Sequence, residues 1–279
     1  MKIAITGASG FIGRALAARL VAAGHSVLPV KLRQGPIMPV SDAVIHLAGE
    51  PVAQRWTAEA KRRILQSRAE GTRKVVEALG RLSPRPATLI SASAIGVYGA
   101  RGEKFLAEDS GPGSGFLADV CVVWERTAGV ANALGIRVVI LRFGLVLGPR
   151  GVLGRMLPIF KLGAGGRLGS GRQWVSWIHI DDLTALIEFA LGAKRLRGPV
   201  NATAPNPVTN AEFTRTLAST LHRPAFATVP EFALKLLFGE MASVLLDSQR
   251  VLPKAAVAAG FEFKYPNLGP ALADLVGRD

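Results

Sequence analysis

The sequence predicts an α/β protein in which a doubly wound parallel sheet carries helices on both faces. Short apolar runs alternate with segments of helical periodicity over the first 150 residues, and such alternation produces right-handed crossovers between parallel strands. A glycine-rich turn follows the first apolar run directly. The chain has 279 residues and is 49% hydrophobic, which is enough to build a sizeable core.

The predicted elements alternate regularly in the first part of the chain. The apolar run Lys2–Thr6 predicts the first strand, and apolar residues at helical spacing after Gly10 predict a helix that Gly24 ends. Later apolar runs predict further strands, and stretches rich in helix-forming residues predict further helices. These are strands 26–30, 43–47, 87–91 and 136–141, and helices 55–80 and 116–134.

Glycine and proline interrupt this pattern beyond Gly144, which predicts a smaller C-terminal α/β subdomain on the substrate side. We expect a dinucleotide-binding domain over residues 1–150 and the smaller domain over 151–279, with segments of the second crossing back to the first sheet. The elements predicted here are helices 152–162, 181–191, 210–221 and 230–237, and strands 174–180 and 199–202.

Composition excludes several classes of protein. The single cysteine, Cys121, cannot form an internal disulfide, and four scattered histidines show no metal-ligand spacing, so we expect no disulfide and no metal. The N-terminal residues lack the pattern of an export signal, and no apolar run reaches the roughly 18 residues of a membrane span. We therefore expect a soluble cytoplasmic protein with no membrane partner.

The chain is strongly basic, with 34 Lys+Arg against 20 Asp+Glu and a formal net charge of +14. The basic residues are spread along the sequence, and the densest groups lie at 61–63, 68, 73–74 and 194–197. With only two tyrosines, the pattern of basic residues interleaved with stacking aromatics is not seen. We expect a solvated basic face and a small-molecule partner rather than a nucleic acid.

The first glycine turn has the spacing of a dinucleotide-binding site. Glycine there allows a tight turn, lets backbone N–H groups approach a pyrophosphate, and packs the helix close to the strand. The strand–turn–helix context within one βαβ unit predicts dinucleotide binding on a Rossmann-like fold rather than a merely structural turn. The predicted turn residues are Gly7, Ala8, Ser9, Gly10, Phe11, Ile12 and Gly13.

The end of the second predicted strand selects the dinucleotide. An acidic residue there binds a ribose 2′-OH, whereas a basic residue accommodates a 2′-phosphate. This chain has Lys31, with Arg33 just after it, and no carboxylate. We therefore expect NADP(H) as the cofactor, read by either base; the alternative is that both are ordinary surface residues.

Further motifs follow in order along the chain. They are Thr6 to Gly13, His46-Leu47-Ala48-Gly49, Ser91-Ala92-Ser93 leading to Val97-Tyr98-Gly99, Leu141-Arg142-Phe143-Gly144 and Trp177 to Asp182. With them the chain resembles the extended short-chain dehydrogenase/reductases of the NAD-dependent epimerase/dehydratase superfamily. Residues 47–50, 67–68, 124–125, 168–173 and 203–210 resemble one atypical subgroup, the epimerase-family proteins of the YfcH type.

The resemblance implies further cofactor contacts and a catalytic set. Members of the superfamily use a tyrosine as acid/base, a lysine four residues later, and a serine that polarises the carbonyl. Counting back from Glu125 puts Leu117 at the tyrosine position and Cys121 at the lysine position, so the usual dyad is missing. The residues implied near the cofactor are Leu47, Ala48, Gly49, Glu50, Arg68 and Ser91.

Two residues stand as candidates for catalysis. The serine role falls to Ser93, with Ser91 as the weaker alternative. Tyr98 is either a relocated proton donor or a wall of the substrate pocket, as the tyrosine of this loop normally is in the superfamily. Glu50 is a further acid/base candidate, and Cys121 is expected to be buried packing rather than a nucleophile.

The substrate position also departs from the family pattern. Nucleotide-sugar enzymes of the superfamily place a diphosphate-binding arginine where this chain has Val175, and the nearest base is Arg172. The resemblance therefore implies an NADP(H)-dependent oxidoreductase that acts on an unidentified small carbonyl or related substrate. The alternatives are a non-catalytic NADPH-binding sensor or scaffold, and a sugar-type epimerase.

Overall fold

The chain folds into alternating strands and helices, and the computed structural model describes residues 1–32 and 37–278. Its strands are β1 Lys2–Thr6, β2 Ser26–Val30, β3 Ala43–His46, β4 Thr88–Ala94, β5 Phe105–Leu106, β6 Arg137–Phe143, β7 Leu145–Leu147, β8 Gly166–Leu168, β9 Trp174–Val175, β10 Trp177–His179, β11 Gly198–Ala202, β12 Val208–Thr209, β13 Ala227–Val229 and β14 Arg250–Val251. Its helices are α1 Phe11–Ala22, α2 Ala58–Gly80, α3 Phe116–Gly129, α4 Val152–Lys161, α5 Ile180–Gly192, α6 Asn210–Thr220, α7 Glu231–Phe238, α8 Ser243–Leu246, α9 Lys254–Ala258 and α10 Leu268–Gly277.

Six of these strands form the central sheet, in the order β2-β1-β3-β4-β6-β11. All neighbours in it pair in parallel. The chain runs from β1 out to the edge strand β2 and then crosses back to β3, so the winding reverses between β1 and β3. Ligands of such sheets bind outside the carboxyl ends of the strands at this switch point. The predicted doubly wound, Rossmann-like α/β fold is confirmed.

Alternate residues of each strand face opposite sides of the sheet, and each side has its own core. Ile3 and Ile5 of β1 pack with Leu16 of α1 and with α5 on one face. Ala4 packs with Val75 of α2 on the other face. Both faces are thus covered, and the carboxyl edge of the sheet is left for binding.

The second part of the chain returns to the first sheet. Strand β11 lies beyond residue 150 and pairs with β6 along its whole length. Helix α5 also lies beyond residue 150, and its Leu186 shares a core with Leu16 of α1. The hydrophobic core is continuous across residue 150. The domain boundary near this residue stays a prediction.

Some predicted elements differ in detail from the structure. The strand expected over 174–180 is two short strands, of which β9 pairs with β12 and β10 with β7. Ser176 lies between them, and its hydroxyl donates to the carbonyl of Gln249 and accepts from the N–H of Val251. The helix expected from Arg55 begins at Ala58, where Thr57 caps it by accepting the N–H of Ala60.

Candidate dinucleotide and substrate site

The glycine turn after β1 brings backbone segments closer than side chains permit. Gly7 has a φ of +74°, and a Cβ there would lie 2.8 Å from the N of Ala48. A Cβ on Gly13 would lie 2.2 Å from the O of Gly7. Both separations are impossible for a real side chain, so glycine is required for the turn and for the packing of α1 against it.

The first turn of α1 is left open for an anion. Gly10 is the N-cap residue, and no side chain accepts a hydrogen bond from the N–H groups of the first turn. Ser9 and Gly10 are exposed, while Phe11 and Ile12 are half-buried. Unsatisfied N–H groups and the helix dipole both favour negative charge there. This cradle fits the pyrophosphate of a dinucleotide, and it lies at the switch point of the sheet.

The loop that follows β3 lies beside this turn and is held by Arg68. Its guanidinium donates to the carbonyl of Glu50 at 2.9 Å and lies 5.0 Å from the Trp124 ring. A Cβ on Gly49 would be 3.3 Å from its Cζ, so the loop passes directly over the guanidinium. Burial lowers the pKa of Arg68, which is only 9% exposed. The structure thus brings Arg68 to the loop Leu47–Glu50, as a buried support rather than on a solvated helix face.

His46, at the end of β3, belongs to one of the motifs named above, but the sequence analysis gave it no role. The imidazole is fully buried and hydrogen-bonds with Thr6 Oγ1 at 2.6 Å and with Thr72 Oγ1 at 3.1 Å. Burial, together with the nearby Arg68, lowers the pKa of His46 to about 4. The neutral ring therefore ties β1, β3 and α2 together under the cofactor turn.

Two further cofactor predictions fall on the segment after β2. Lys31 is exposed directly past the end of this strand, where a 2′-phosphate reader is expected. Arg33 lies outside the described residues.

The two candidate serines lie on β4 but differ in their surroundings. Ser91 is fully buried, and its hydroxyl donates to the carbonyl of Ala92 at 3.3 Å. Ser93 lies nearer the carboxyl end of the strand, and its hydroxyl donates to Glu125 Oε1 at 2.7 Å. Ser93 is also buried, with 2% of its surface exposed, but it is connected to a charged pair, which Ser91 is not.

That pair is a nearly buried salt bridge between α3 and β6. Arg142 Nε and Nη2 donate to the two oxygens of Glu125 at 2.9 and 2.7 Å, a bidentate geometry. Both side chains are about a tenth exposed, at 9% and 12%. The pair fixes the orientation of the carboxylate that accepts the Ser93 hydroxyl.

Tyr98 contacts this pair through Arg142. Its ring is fully buried, and its hydroxyl accepts from Arg142 Nη1 at 2.8 Å and donates to Asn201 Oδ1 at 2.7 Å. Burial raises the pKa of Tyr98. A proton donor must come within hydrogen-bond distance of the substrate, and a pocket wall must be accessible. The Tyr98 hydroxyl is already bonded to two protein partners in a fully buried site, which favours a structural role.

Cys121 is buried on α3 close to Ser93. Burial and the neighbouring Glu125 raise the pKa of the Cys121 thiol to about 11. A thiol with a raised pKa is a poor nucleophile, in keeping with a packing role. Glu50 lies elsewhere, in the loop after β3, where Gln54 and Arg63 donate to its carboxylate.

One titratable cluster lies away from this edge of the sheet. His179, Asp181 and Asp274 place a ligand atom each within 4.8 Å of one another, a spacing that could hold a metal ion. Arg278 donates to Asp181 at 2.6 Å and lies 2.7 Å from Asp274, so a guanidinium already neutralises both carboxylates. The sequence could not show this cluster, because its members come from α10 and from residues far earlier in the chain.

The basic run on α2 is largely matched by acidic neighbours. Arg63 pairs with Glu59, and Arg73 pairs with Glu70 and with Glu77. Lys61 pairs with Glu240. These pairs reduce the positive field that the sequence indicated on this helix.

A doubly wound sheet with a glycine cradle at its switch point defines a dinucleotide-binding protein of the Rossmann type. Residues 3–202 match the NAD dependent epimerase/dehydratase family, and residues 229–275 match a domain of unknown function, DUF1731. The chain belongs to the NAD dependent epimerase/dehydratase family.

Similar proteins occur in plants, bacteria and animals. The chain is 44% identical to the chloroplastic SDR39U1 homolog of Arabidopsis thaliana, over 98% of this chain and 86% of that protein. It is 39% identical to the epimerase family protein YfhF of Bacillus subtilis, over 99% of this chain and 98% of that protein. The crystal structure of human SDR39U1 with NADPH is 34% identical, with a TM-score of 0.94 and full coverage of both chains. Among the described residues, no helix is long and apolar enough to cross a membrane.

Proposed function

We propose that the protein is a cytoplasmic NADP(H)-dependent oxidoreductase of the atypical extended short-chain type, acting on a small carbonyl or related substrate. The observation that carries the proposal is the cradle formed by Gly7, Gly13 and the uncapped start of α1 at the switch point of the sheet. Lys31 supports NADPH over NADH, since it stands where a 2′-phosphate is read. The NADPH-bound human relative supports the same cofactor.

NADPH, when bound, supplies a hydride to an acceptor carbon. The chain's own contribution is to hold and orient the acceptor at the carboxyl end of β4. Ser93 is the residue assigned to this, because Glu125 fixes its hydroxyl and Arg142 in turn fixes Glu125. With its proton directed at Glu125, Ser93 Oγ is set to accept a hydrogen bond from a substrate hydroxyl. Water delivers the proton in this proposal, and Tyr98 holds Arg142 in place.

A second candidate is a non-catalytic NADPH-dependent sensor or scaffold. Leu117 and Cys121 occupy the positions of the usual catalytic dyad, and the Tyr98 hydroxyl has two protein partners in a fully buried site. A protein that responds to NADPH through a change in its surface needs the cofactor cradle but needs no proton donor.

Cofactor choice is tested by calorimetric titration with NADPH, NADP, NADH and NAD. We expect NADPH to bind most tightly, and Lys31→Asp to weaken it about tenfold or more while leaving NADH unchanged, because only NADPH carries the 2′-phosphate. Lys2→Asp, an exposed lysine at the opposite end of the sheet, is the control. Binding of none of the four would refute both candidate functions.

Catalysis is tested with a panel of aldehydes and ketones that also carry a hydroxyl group, following NADPH oxidation. We expect Ser93→Ala to lower turnover at least tenfold with unchanged NADPH affinity, because it removes the group that orients the acceptor. Tyr98→Phe should keep turnover within a few-fold and lower the Tm, since it removes two buried hydrogen bonds. Lost turnover at unchanged Tm in Tyr98→Phe would instead make Tyr98 the donor. NADPH binding without any turnover would favour the sensor.

A further inference from the structure

A groove of about 500 Å³ lies on the C-terminal part of the molecule, away from the cofactor cradle. It is formed by α6, by β8 and by the segment from Arg223 to β13. Its lining combines three guanidinium groups with three hydroxyl groups, from Arg167, Arg215, Arg223, Thr214, Ser219 and Thr228. No carboxylate of the described residues pairs with any of these arginines or lines the groove.

Arg167 is fixed through Nε only, and Arg223 is fixed through Nε and through Nη1, which donates to the carbonyl of His222 at 3.4 Å. Arg167 Nε donates to Thr228 Oγ1 at 3.1 Å, which joins β8 to β13. Arg223 Nε donates to the carbonyl of Lys161 at 3.0 Å. The Nε bonds hold the two side chains in place and leave both Nη groups of Arg167 and the Nη2 group of Arg223 for a ligand. A fork of such groups suits the bidentate binding of phosphate.

The C-terminal end of α6 is closed by hydrogen bonds between backbone groups. His222 adopts a left-handed conformation with a φ of 52°, which turns the chain back on the helix. The N–H groups of His222 and Arg223 bond the carbonyls of Ser219 and Ala218 at 3.0 Å each. The final carbonyls are therefore capped, and Arg223 is set in a defined position at the helix end.

Phe226 adds a planar apolar surface to the lining. Its side chain is 93% exposed, although large aromatic residues are usually well covered. An exposed ring beside cations is the combination that binds a phosphorylated compound with a planar base, because stacking on the ring adds to the phosphate contacts.

This groove is separate from the dinucleotide site. None of the cradle residues, Lys31 or Ser93 lines it. Alternate residues of a strand face opposite sides, so Arg167 lies on the other side of β8 from Gly166 and Leu168. We propose that the groove is a second ligand site that binds a nucleoside phosphate, with its phosphates on Arg167, Arg215 and Arg223 and its base on Phe226.

Calorimetry in 150 mM salt, with NADPH added to saturate the cradle, tests this site with ADP and inorganic pyrophosphate as probes. We expect both to bind saturably, and Arg215→Gln and Arg167→Gln each to weaken both about tenfold. Phe226→Ala should weaken ADP about fivefold or more and leave pyrophosphate unchanged. Arg155→Gln, an exposed arginine on α4 outside the groove, should change neither.

Three results would overturn the proposal: no saturable binding at millimolar probe, equal weakening by Arg155→Gln, or ADP affinity indifferent to Phe226→Ala. Tighter binding of a single-stranded oligonucleotide than of ADP would assign the groove to nucleic acid instead. If NADPH itself does not bind, the groove variants still report on ADP and pyrophosphate. Failure of the proposed oxidoreductase function is therefore distinguishable from failure of this site.

Discussion

At the scale of the single residue, burial sets the charge state of His46, which directly precedes the loop Leu47–Glu50. The imidazole has no exposed surface and hydrogen-bonds with two threonine hydroxyls. A neutral imidazole offers one donor and one acceptor, which match these two hydroxyls, whereas protonation leaves two donors and a buried charge beside Arg68. The native structure therefore resists protonation of His46 where the unfolded chain does not.

His46 makes stability fall in mild acid. Its pKa is about 4 in the native state and 6.5 in the reference state, so between these values the unfolded chain binds more protons and unfolding becomes easier as the pH falls. At pH 5, about 1.5 units below the unfolded pKa, the loss relative to pH 7.5 is about 2 kcal/mol. We expect urea denaturation at the two pH values to show it.

The matched control for this pH effect is His222→Asn, since His222 is exposed and asparagine tolerates its left-handed backbone. This control should keep the loss of stability between pH 7.5 and 5, whereas His46→Gln, destabilised at both pH values, should lose most of it. An unchanged difference in His46→Gln would show that other groups cause the acid sensitivity.

At the scale of the element, two glycines in helices make opposite predictions. Gly13 lies in α1, and a Cβ there would lie 2.2 Å from the carbonyl O of Gly7. Gly71 lies within α2, and a Cβ there has no neighbour within 4 Å. Space, rather than helix position, therefore decides what an added methyl group does.

We expect Gly13→Ala to lower the free energy of unfolding by about 2 kcal/mol or more, because the turn must open to admit the methyl group. The same change should weaken NADPH at least tenfold. Gly71→Ala should raise stability by about 0.5–1 kcal/mol through helix propensity and leave NADPH binding unchanged. Urea denaturation and calorimetry measure both. Tight NADPH binding by Gly13→Ala would show that the cradle is not the cofactor site.

The elements that could be predicted from the sequence are those that form because of residues close to one another in the chain. The Gly7–Gly13 spacing indicates a turn by itself, and the apolar runs indicate strands of the sheet. The contact of Ser93 with Glu125 could not be predicted, because it depends on how α3 lies against β4 across 32 residues of sequence. The pairing of β8 with β13 could not be predicted either, because each strand is only three residues long and the two lie far apart in the sequence.

The candidate site divides in the same way. Glycine positions and the basic residue after β2 follow from backbone geometry and charge, so the cradle and Lys31 could be located. The surroundings of Tyr98 could not be predicted from sequence, because the partners of its hydroxyl, Arg142 and Asn201, are brought together by β6 and β11. Nonlocal packing therefore decides the surroundings of the two residues that the sequence offered as candidates for catalysis.

At the scale of the whole molecule, the two predicted domains share their hydrophobic core. Ile3 and Leu16 from the first part pack in one cluster with Ile178, Leu186 and Val200 from the second. Phe11 of the cofactor turn packs against a second cluster formed mainly by residues beyond 150. Separating the parts would expose both clusters to water, at a cost of about 25 cal/mol per Å² of apolar surface.

We therefore expect the chain to unfold in one cooperative transition, with circular dichroism and intrinsic tryptophan fluorescence giving the same Tm. NADPH at about 100 times its Kd should raise the stability by about 2.7 kcal/mol. With roughly 0.6 kcal/mol/K of unfolding entropy for a chain of this length, this shifts the whole transition by about 4–5 °C. Since Ile12 of the cradle packs against both clusters, the cofactor should move the complete transition. Two transitions, with only the earlier or the later one moved by NADPH, would show that the parts unfold independently and that the shared core does not couple them.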